Sequence, residues 1–138
     1  MADAEPTTTY SHAFDGPTVG VSVHSTAALV ERNGRAAERS LVRYMAKACE
    51  RAELNYEIDH GYPSKEPPRE MSLCGEESAY RWWRDRVGEG SPERKDSNIL
   101  LCDANRGWCG SVGGNVATAP AMNVTDEREH AWIGRDDF

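Results

Sequence analysis

Hydrophobic and polar positions alternate early in the chain and then take up a helical period. Val19, Val21 and Val23 alternate with small or polar residues, which predicts a β-strand. From about residue 35 to 53 the apolar positions fall on one stripe of an α-helix. They are Leu41, Met45, Ala48, Cys49 and Ala52.

A second alternating stretch follows this helix. Leu54, Tyr56 and Ile58 alternate with polar residues and predict another strand. Strand, helix and strand in succession form a βαβ unit, whose two strands we expect to be parallel. A polar link with a turn at Asn33 and Gly34 is expected between the first strand and the helix.

The second half of the chain is less regular. Helical spacing of four apolar residues predicts a short helix over about 76–87. They are Ala79, Trp82, Trp83 and Val87. The continuously apolar run 98–102 is typical of a central strand covered on both faces. After a turn at 103–107, residues 111–119 predict a further strand, whose glycines favour the edge of a sheet.

Together these elements predict an α/β fold, with one long helix packed across a small mixed sheet. The length of 138 residues suits one domain. We expect a disordered arm over 1–16, where apolar residues are few, then a single α/β domain over 17–124. A charged tail is expected over 125–138.

Charge and hydropathy limit the expected partners. The net charge of −7 repels nucleic acid, and basic residues never run longer than two, so no nucleic-acid patch is expected. No apolar stretch approaches the roughly 20 residues of a membrane-spanning helix, and the N-terminus has no signal-peptide pattern. We therefore expect no membrane partner and a cytoplasmic location. The acidic, lysine-poor composition fits a halophilic protein as well as ordinary solubility charge.

The cysteines leave two possibilities open. Cys49, Cys74, Cys102 and Cys109 would allow three disulfide pairings in an exported protein, whereas free thiols are expected in a reducing cytosol. No C-x-x-C is present, which argues against a zinc ribbon or a thioredoxin-like motif. Cys102 and Cys109 could also meet across a tight turn.

Other side chains give little signal for chemistry. No two of the four histidines stand two to four residues apart, so no helix presents two imidazoles to one metal. The glycines match no nucleotide-binding pattern, and no serine stands in a G-x-S-x-G elbow. We expect no cofactor, metal ligand or catalytic residue. An enzyme of another type, using Asp103 or a cysteine, is a separate hypothesis.

Two segments resemble a known family. Residues 97–107 (SNILLCDANRG) and 110–121 (GSVGGNVATAPA) look like part of a metzincin-type zinc metallopeptidase domain, in the short form found in haloarchaea. With the order of elements, the resemblance extends over roughly 17–124, the front half of such a domain. It implies that an edge strand pairs with extended peptide. The matching residues are Ser111, Val112, Gly113, Gly114, Asn115, Val116 and Ala117.

The sequence departs from this family at its diagnostic motif. The helical H-E-x-x-H-x-x-G-x-x-H would follow the edge strand, but no histidine here is followed by glutamate. The resemblance therefore implies a metallopeptidase-like domain without its zinc-binding helix, inactive alone, that binds extended peptide. The alternative is a small cytoplasmic α/β protein without enzymatic activity that self-associates or binds a partner.

Overall fold

A computed structural model describes residues 6–66, 77–87, 94–102, 111–113 and 116–120. Within these residues, six strands and three helices are present. The strands are β1 (Thr7–Ser11), β2 (Thr18–Ser25), β3 (Asn55–His60), β4 (Ser97–Cys102), β5 (Ser111–Gly113) and β6 (Val116–Pro120). The helices are α1 (Ala27–Asn33), α2 (Ala36–Arg51) and α3 (Glu77–Arg86).

The six strands form one mixed sheet in the order β1-β3-β2-β4-β6-β5. The four inner strands are parallel, and each outer strand runs antiparallel to its neighbour. The expected α/β fold with a mixed sheet is thus confirmed. The expected βαβ unit is formed by β2, α2 and β3, with β2 parallel to β3.

The larger hydrophobic core lies between α2 and one face of the sheet. Leu41 and Met45, on the predicted stripe of α2, are completely buried there. Side chains from all four inner strands belong to this core. They are Val21, Val23, Tyr56, Ile58, Ile99, Leu101 and Ala117. Burial of the apolar face of α2 is the main force that fixes this helix on the sheet.

The opposite face of the sheet carries a smaller core under α3. Trp83 and Val87 are completely buried and pack with Leu100 and Cys102 of β4. Because Ile99 and Leu101 face the larger core, β4 is covered on both sides. The continuous apolar run of this strand is explained by that double burial, as the sequence predicts.

The expectation of a disordered arm over 1–16 is wrong, because part of it forms β1. This strand pairs with the free edge of β3, and its consecutive threonines have β-branched side chains that suit a strand. Thr8 Oγ1 donates to Asp59 Oδ1 (2.7 Å). Asn55 then holds the chain beyond β1 by donating to Phe14 O (2.6 Å) and accepting from Phe14 N–H (2.9 Å). The domain therefore begins earlier than residue 17.

The polar link expected after β2 instead contains the short helix α1. Thr26 caps its start, because Thr26 Oγ1 accepts a hydrogen bond from Leu29 N–H (3.3 Å). Gly34 ends it with a φ of 67°, which glycine adopts without strain. The turn expected at Asn33 and Gly34 is thus the end of a helix.

A buried carboxylate ties α2 to the carboxyl end of β2 and to the chain beyond β3. Glu38, 1% exposed, accepts from Ser25 Oγ (2.8 Å) and Arg35 Nη1 (2.9 Å) through Oε1. Its Oε2 accepts from Gly61 N–H (2.7 Å). Gly61 has a φ of 81°, so a side chain at this turn would be strained. Arg35 also donates from Nη2 to Tyr62 O (2.8 Å), which extends the network.

We predict that Glu38→Ala lowers the free energy of unfolding by about 2–4 kcal/mol, because the Ser25 hydroxyl and the Gly61 N–H lose their acceptor. Urea unfolding followed by circular dichroism measures this change. Glu31→Ala, at an exposed position of α1, is the control and should stay close to wild type. A Glu38→Ala protein as stable as the control would show that the network contributes little.

Candidate functional site

The predicted peptide-binding strand divides into two strands with different surroundings. Ser111, Val112 and Gly113 form β5 at the edge of the sheet, as expected. Val116 and Ala117 belong to β6, which pairs with β4 on one side and with β5 on the other. The expectation of one continuous edge strand is therefore wrong for these two residues. Gly114 and Asn115 lie outside the described residues.

The register explains why the chain cannot continue as one strand. Gly113 of β5 pairs with Val116 of the antiparallel β6, and only two residues separate them in sequence. A Gly-Asn pair between two short β runs is a known signal for a tight hairpin. This signal alone would have predicted the hairpin from the sequence. The prediction of one edge strand relied instead on the glycine content of the segment, which is typical of a weak strand.

The outer edge of β5 carries backbone groups that pair with no other described strand. The inner side of β5 pairs with β6, and no other described strand lies on its outer side. Such an edge presents N–H and C=O groups that an extended chain can pair with. The predicted turn at 103–107 lies outside the described residues, as does Asp103.

A second candidate site is an aromatic cluster on the α3 face, centred on His24. The imidazole is completely buried at the carboxyl end of β2. It stacks on the Tyr62 ring with centroids 4.3 Å apart and meets the Trp83 ring edge-on at 4.8 Å. Within the described part of the chain, neither ring nitrogen of His24 has a hydrogen-bond partner. Thr118 of β6 also lies on the α3 face of the sheet. Its Oγ1 is buried and likewise has no hydrogen-bond partner among the described residues.

These surroundings keep His24 neutral. Burial is the main cause that lowers the pKa of His24 to about 3, and the positive charge of Lys65 lowers it further. The Asp59 carboxylate opposes this shift but does not cancel it. An imidazole with this pKa is neutral near pH 7 and is a weak base.

Asp59 connects three elements beside this cluster. Its Oδ1 accepts from Thr8 of β1, and its Oδ2 accepts from the Tyr62 hydroxyl (3.2 Å) and contacts Lys95 Nζ (3.2 Å). Burial alone would raise the pKa of Asp59, but hydrogen bonds from Thr8 and Lys95 outweigh it and lower that pKa. Asp59 is therefore an ionised structural carboxylate. Its oxygens are engaged by protein groups.

Asn98 fixes the start of β4 under α3. Its side-chain oxygen accepts from Ser22 Oγ (2.8 Å) and Lys95 N–H (2.8 Å). Its backbone oxygen accepts from the Trp83 indole N–H (3.2 Å). Because Ser22 and Trp83 are both completely buried, Asn98 satisfies polar groups that α3 would otherwise bury unpaired. This contact also holds Trp83 beside His24.

The described histidines do not form a metal centre. His12 contacts Glu57 Oε2 (3.1 Å) at an exposed position, and His60 Nε2 lies 3.2 Å from Thr9 Oγ1. Burial lowers the pKa of His60. Across the described ranges, no group of three or more His, Cys, Asp or Glu side chains is placed to hold a metal ion.

The cysteines fall into two states. Cys49 is free and buried on α2, where burial and the nearby Glu50 carboxylate raise its pKa and make the thiol a poor nucleophile. Cys102 is disulfide-bonded, with a partner outside the described residues. The expectation of free thiols thus holds for Cys49 and not for Cys102. A disulfide does not favour the cytoplasmic location that the sequence suggests.

Comparisons with known proteins do not assign this chain to a family. A scan against protein-family models finds no match, and a search of curated proteins finds none either. None of the three described helices has the length and apolar content that crossing a membrane requires.

We predict that the buried His24 makes the fold sensitive to acid. The ordinary pKa of 6.5 applies to the unfolded chain and a pKa of about 3 to the folded one, so between these values only the unfolded chain takes up the proton. This histidine should therefore cost about 3 kcal/mol of stability between pH 7 and pH 4.

His24→Phe keeps a stacking ring that does not titrate, and urea unfolding at both pH values measures the difference. The variant should lose about 3 kcal/mol less than wild type over this range. The exposed His12→Gln serves as the control and should keep the acid sensitivity of wild type. Equal losses in His24→Phe and wild type would show that His24 is not the acid-sensitive group.

Proposed function

We propose that this chain is a metallopeptidase-like domain that binds extended peptide along β5 and is catalytically inactive by itself. Residues 97–107 and 110–121 resemble metzincins, in which an edge strand pairs with substrate, and this resemblance supports the proposal. The observation that carries it is β5, a short antiparallel strand whose outer edge faces no other described strand.

The register indicates which backbone groups a peptide would meet. A two-residue hairpin connection usually closes on a hydrogen-bonded pair, which here is Gly113 with Val116. Antiparallel pairs alternate between bonded and non-bonded kinds, so the N–H and C=O of Val112 should point away from β6. An incoming strand would therefore pair with Val112.

Such a short edge can supply only weak binding. Each backbone hydrogen bond contributes about 0.5–1.5 kcal/mol net, and β5 offers one outward residue. A dissociation constant of 1 mM already requires about 4.1 kcal/mol. Two such bonds supply about 1–3 kcal/mol in total, which is less than this, so we expect a dissociation constant of roughly 10–100 mM from β5 alone unless side-chain contacts add to it.

Self-association is the second candidate function, and β1 favours it. This five-residue strand is the other outer strand of the sheet. It carries Tyr10, whose side chain is 63% exposed. Two copies that joined their β1 edges would extend the sheet and cover part of this ring. A chain that sediments as a dimer and shows no peptide response at β5 would favour this function over peptide binding.

We predict that Val112→Pro abolishes peptide binding because it removes the outward N–H of β5. The probe is a soluble seven-residue peptide of alternating Thr and Val with a lysine at each end. In an NMR titration of the labelled wild type, the amide signals of Ser111–Gly113 should shift with a dissociation constant of roughly 10–100 mM.

Val112→Thr keeps the backbone N–H and is the matched control, so it should bind like wild type. Circular dichroism establishes that both variants are folded. Binding by a folded Val112→Pro protein, or no response of the wild type at about 50 mM peptide, would contradict the proposal.

We also predict that the 138-residue chain holds no stoichiometric zinc and cleaves no peptide. Elemental analysis after purification in the presence of zinc should find far less than one zinc per chain. Because a structural zinc contributes about 10 kcal/mol or more to folding, added chelator should leave Tm unchanged if none is bound. One tightly bound zinc per chain, or peptidase activity lost with chelator, would overturn this part of the proposal.

A further inference from the structure

The solvent-facing side of α2 carries a row of positive charges that is inclined to the helix axis. Arg39, Arg43, Lys47 and Arg51 recur every fourth residue, and all four are exposed. Residues four apart lie on the same side of a helix, about 6 Å apart along its axis. We call these four residues the basic ridge. It lies opposite the buried stripe of Leu41 and Met45.

No described carboxylate neutralises the basic ridge. Of the two acidic residues in α2, Glu38 is buried and bound to Ser25, Arg35 and Gly61. Burial raises the pKa of the Tyr56 phenol, and the nearby Glu50 carboxylate raises that pKa further. Among the described residues, none of the four cations takes part in an ion pair.

The stability of α2 does not explain this arrangement. Like charges four residues apart repel each other and slightly destabilise a helix. The basic ridge contains three such pairs in succession. A helix selected for stability alone would alternate acidic and basic residues at this spacing. Four unpaired cations are also unusual on a chain whose net charge is −7.

We propose that the basic ridge is a docking surface for an acidic segment of a partner protein. Carboxylates four residues apart on a partner helix repeat every 6 Å or so, which matches the ridge. Alternate residues of an extended strand repeat at about 6.6 Å, which also fits. A segment with about four carboxylates that crosses α2 along this inclined row can meet the cations of the ridge.

The overall charge favours a short acidic segment over nucleic acid. Double-stranded DNA carries a negative charge every 1.7 Å or so, and it extends well beyond the four cations. The remainder of this acidic chain would repel those further phosphates. A short peptide interacts mainly with the ridge, because charges more than about 10 Å away are screened at 0.1 M salt.

The experiment uses a fluorescein-labelled alanine-based peptide of sixteen residues with four glutamates spaced four apart. Fluorescence anisotropy measures its binding to wild type at low and physiological salt. The test variant combines Arg39→Gln, Arg43→Gln and Lys47→Gln, and we expect about tenfold weaker binding or more. Because three cations are removed from one helix, Tm of this variant should equal or exceed that of wild type.

The control combines Arg81→Gln, Arg84→Gln and Arg86→Gln on α3, where all three are exposed. It changes net charge by the same amount and should bind within about twofold of wild type. Equal losses in both variants would mean that net charge alone acts. That result would overturn the proposal, as would unchanged binding by the ridge variant, no binding by wild type, or tighter binding of a 20-base-pair DNA duplex.

Discussion

The buried carboxylate of Glu38 determines how the two faces of the sheet are joined. It belongs to α2 on the larger-core face, yet it binds Gly61 N–H, and Arg35 beside it binds Tyr62 O. These contacts set the path of the chain after β3 and bring the Tyr62 ring against His24 on the other face. The chain after Tyr62 then pairs with the end of β2, where Lys65 N–H donates a hydrogen bond to Ser25 O (2.9 Å). Removal of one acceptor would therefore disturb the central strand, the long helix and the α3 face together.

The two faces of the sheet are stabilised by different means. Under α2, apart from the hydrogen bonds of Glu38, the buried contacts are mainly apolar, and burial of area explains most of the packing. Under α3 the apolar cluster is small, so Asn98 and Asp59 supply much of the order through hydrogen bonds. His24 is the exception within this layer, because its buried nitrogens find no partner among the described residues.

Periodicity alone predicts the elements that bury a regular apolar face. Four elements lie close to their expected bounds: β2, α2, β3 and β4. The spacing of their apolar residues indicates which face of each element is buried. β1 is missed since its residues are mostly exposed and polar, and tertiary partners such as Asp59 hold it in place. The aromatic cluster is missed because Tyr62 stands in a breaker region, far in sequence from His24 and Trp83. The basic ridge is missed by a search for consecutive cations, although its spacing of four residues is visible in the sequence.

The sheet order places the two proposed surfaces far apart. α2 contacts β1, β2 and β3, whereas β5 lies at the opposite edge of the sheet. β5 is three strand spacings from β2, about 14 Å at the usual separation of neighbouring strands. An acidic segment on the basic ridge and a peptide on β5 would therefore contact different parts of the sheet. A single partner could engage both, and linking two weak contacts raises the overall affinity without any new contact. A three-residue edge strand is too short to hold a peptide firmly, so this arrangement would let the ridge supply the affinity while β5 selects an extended conformation.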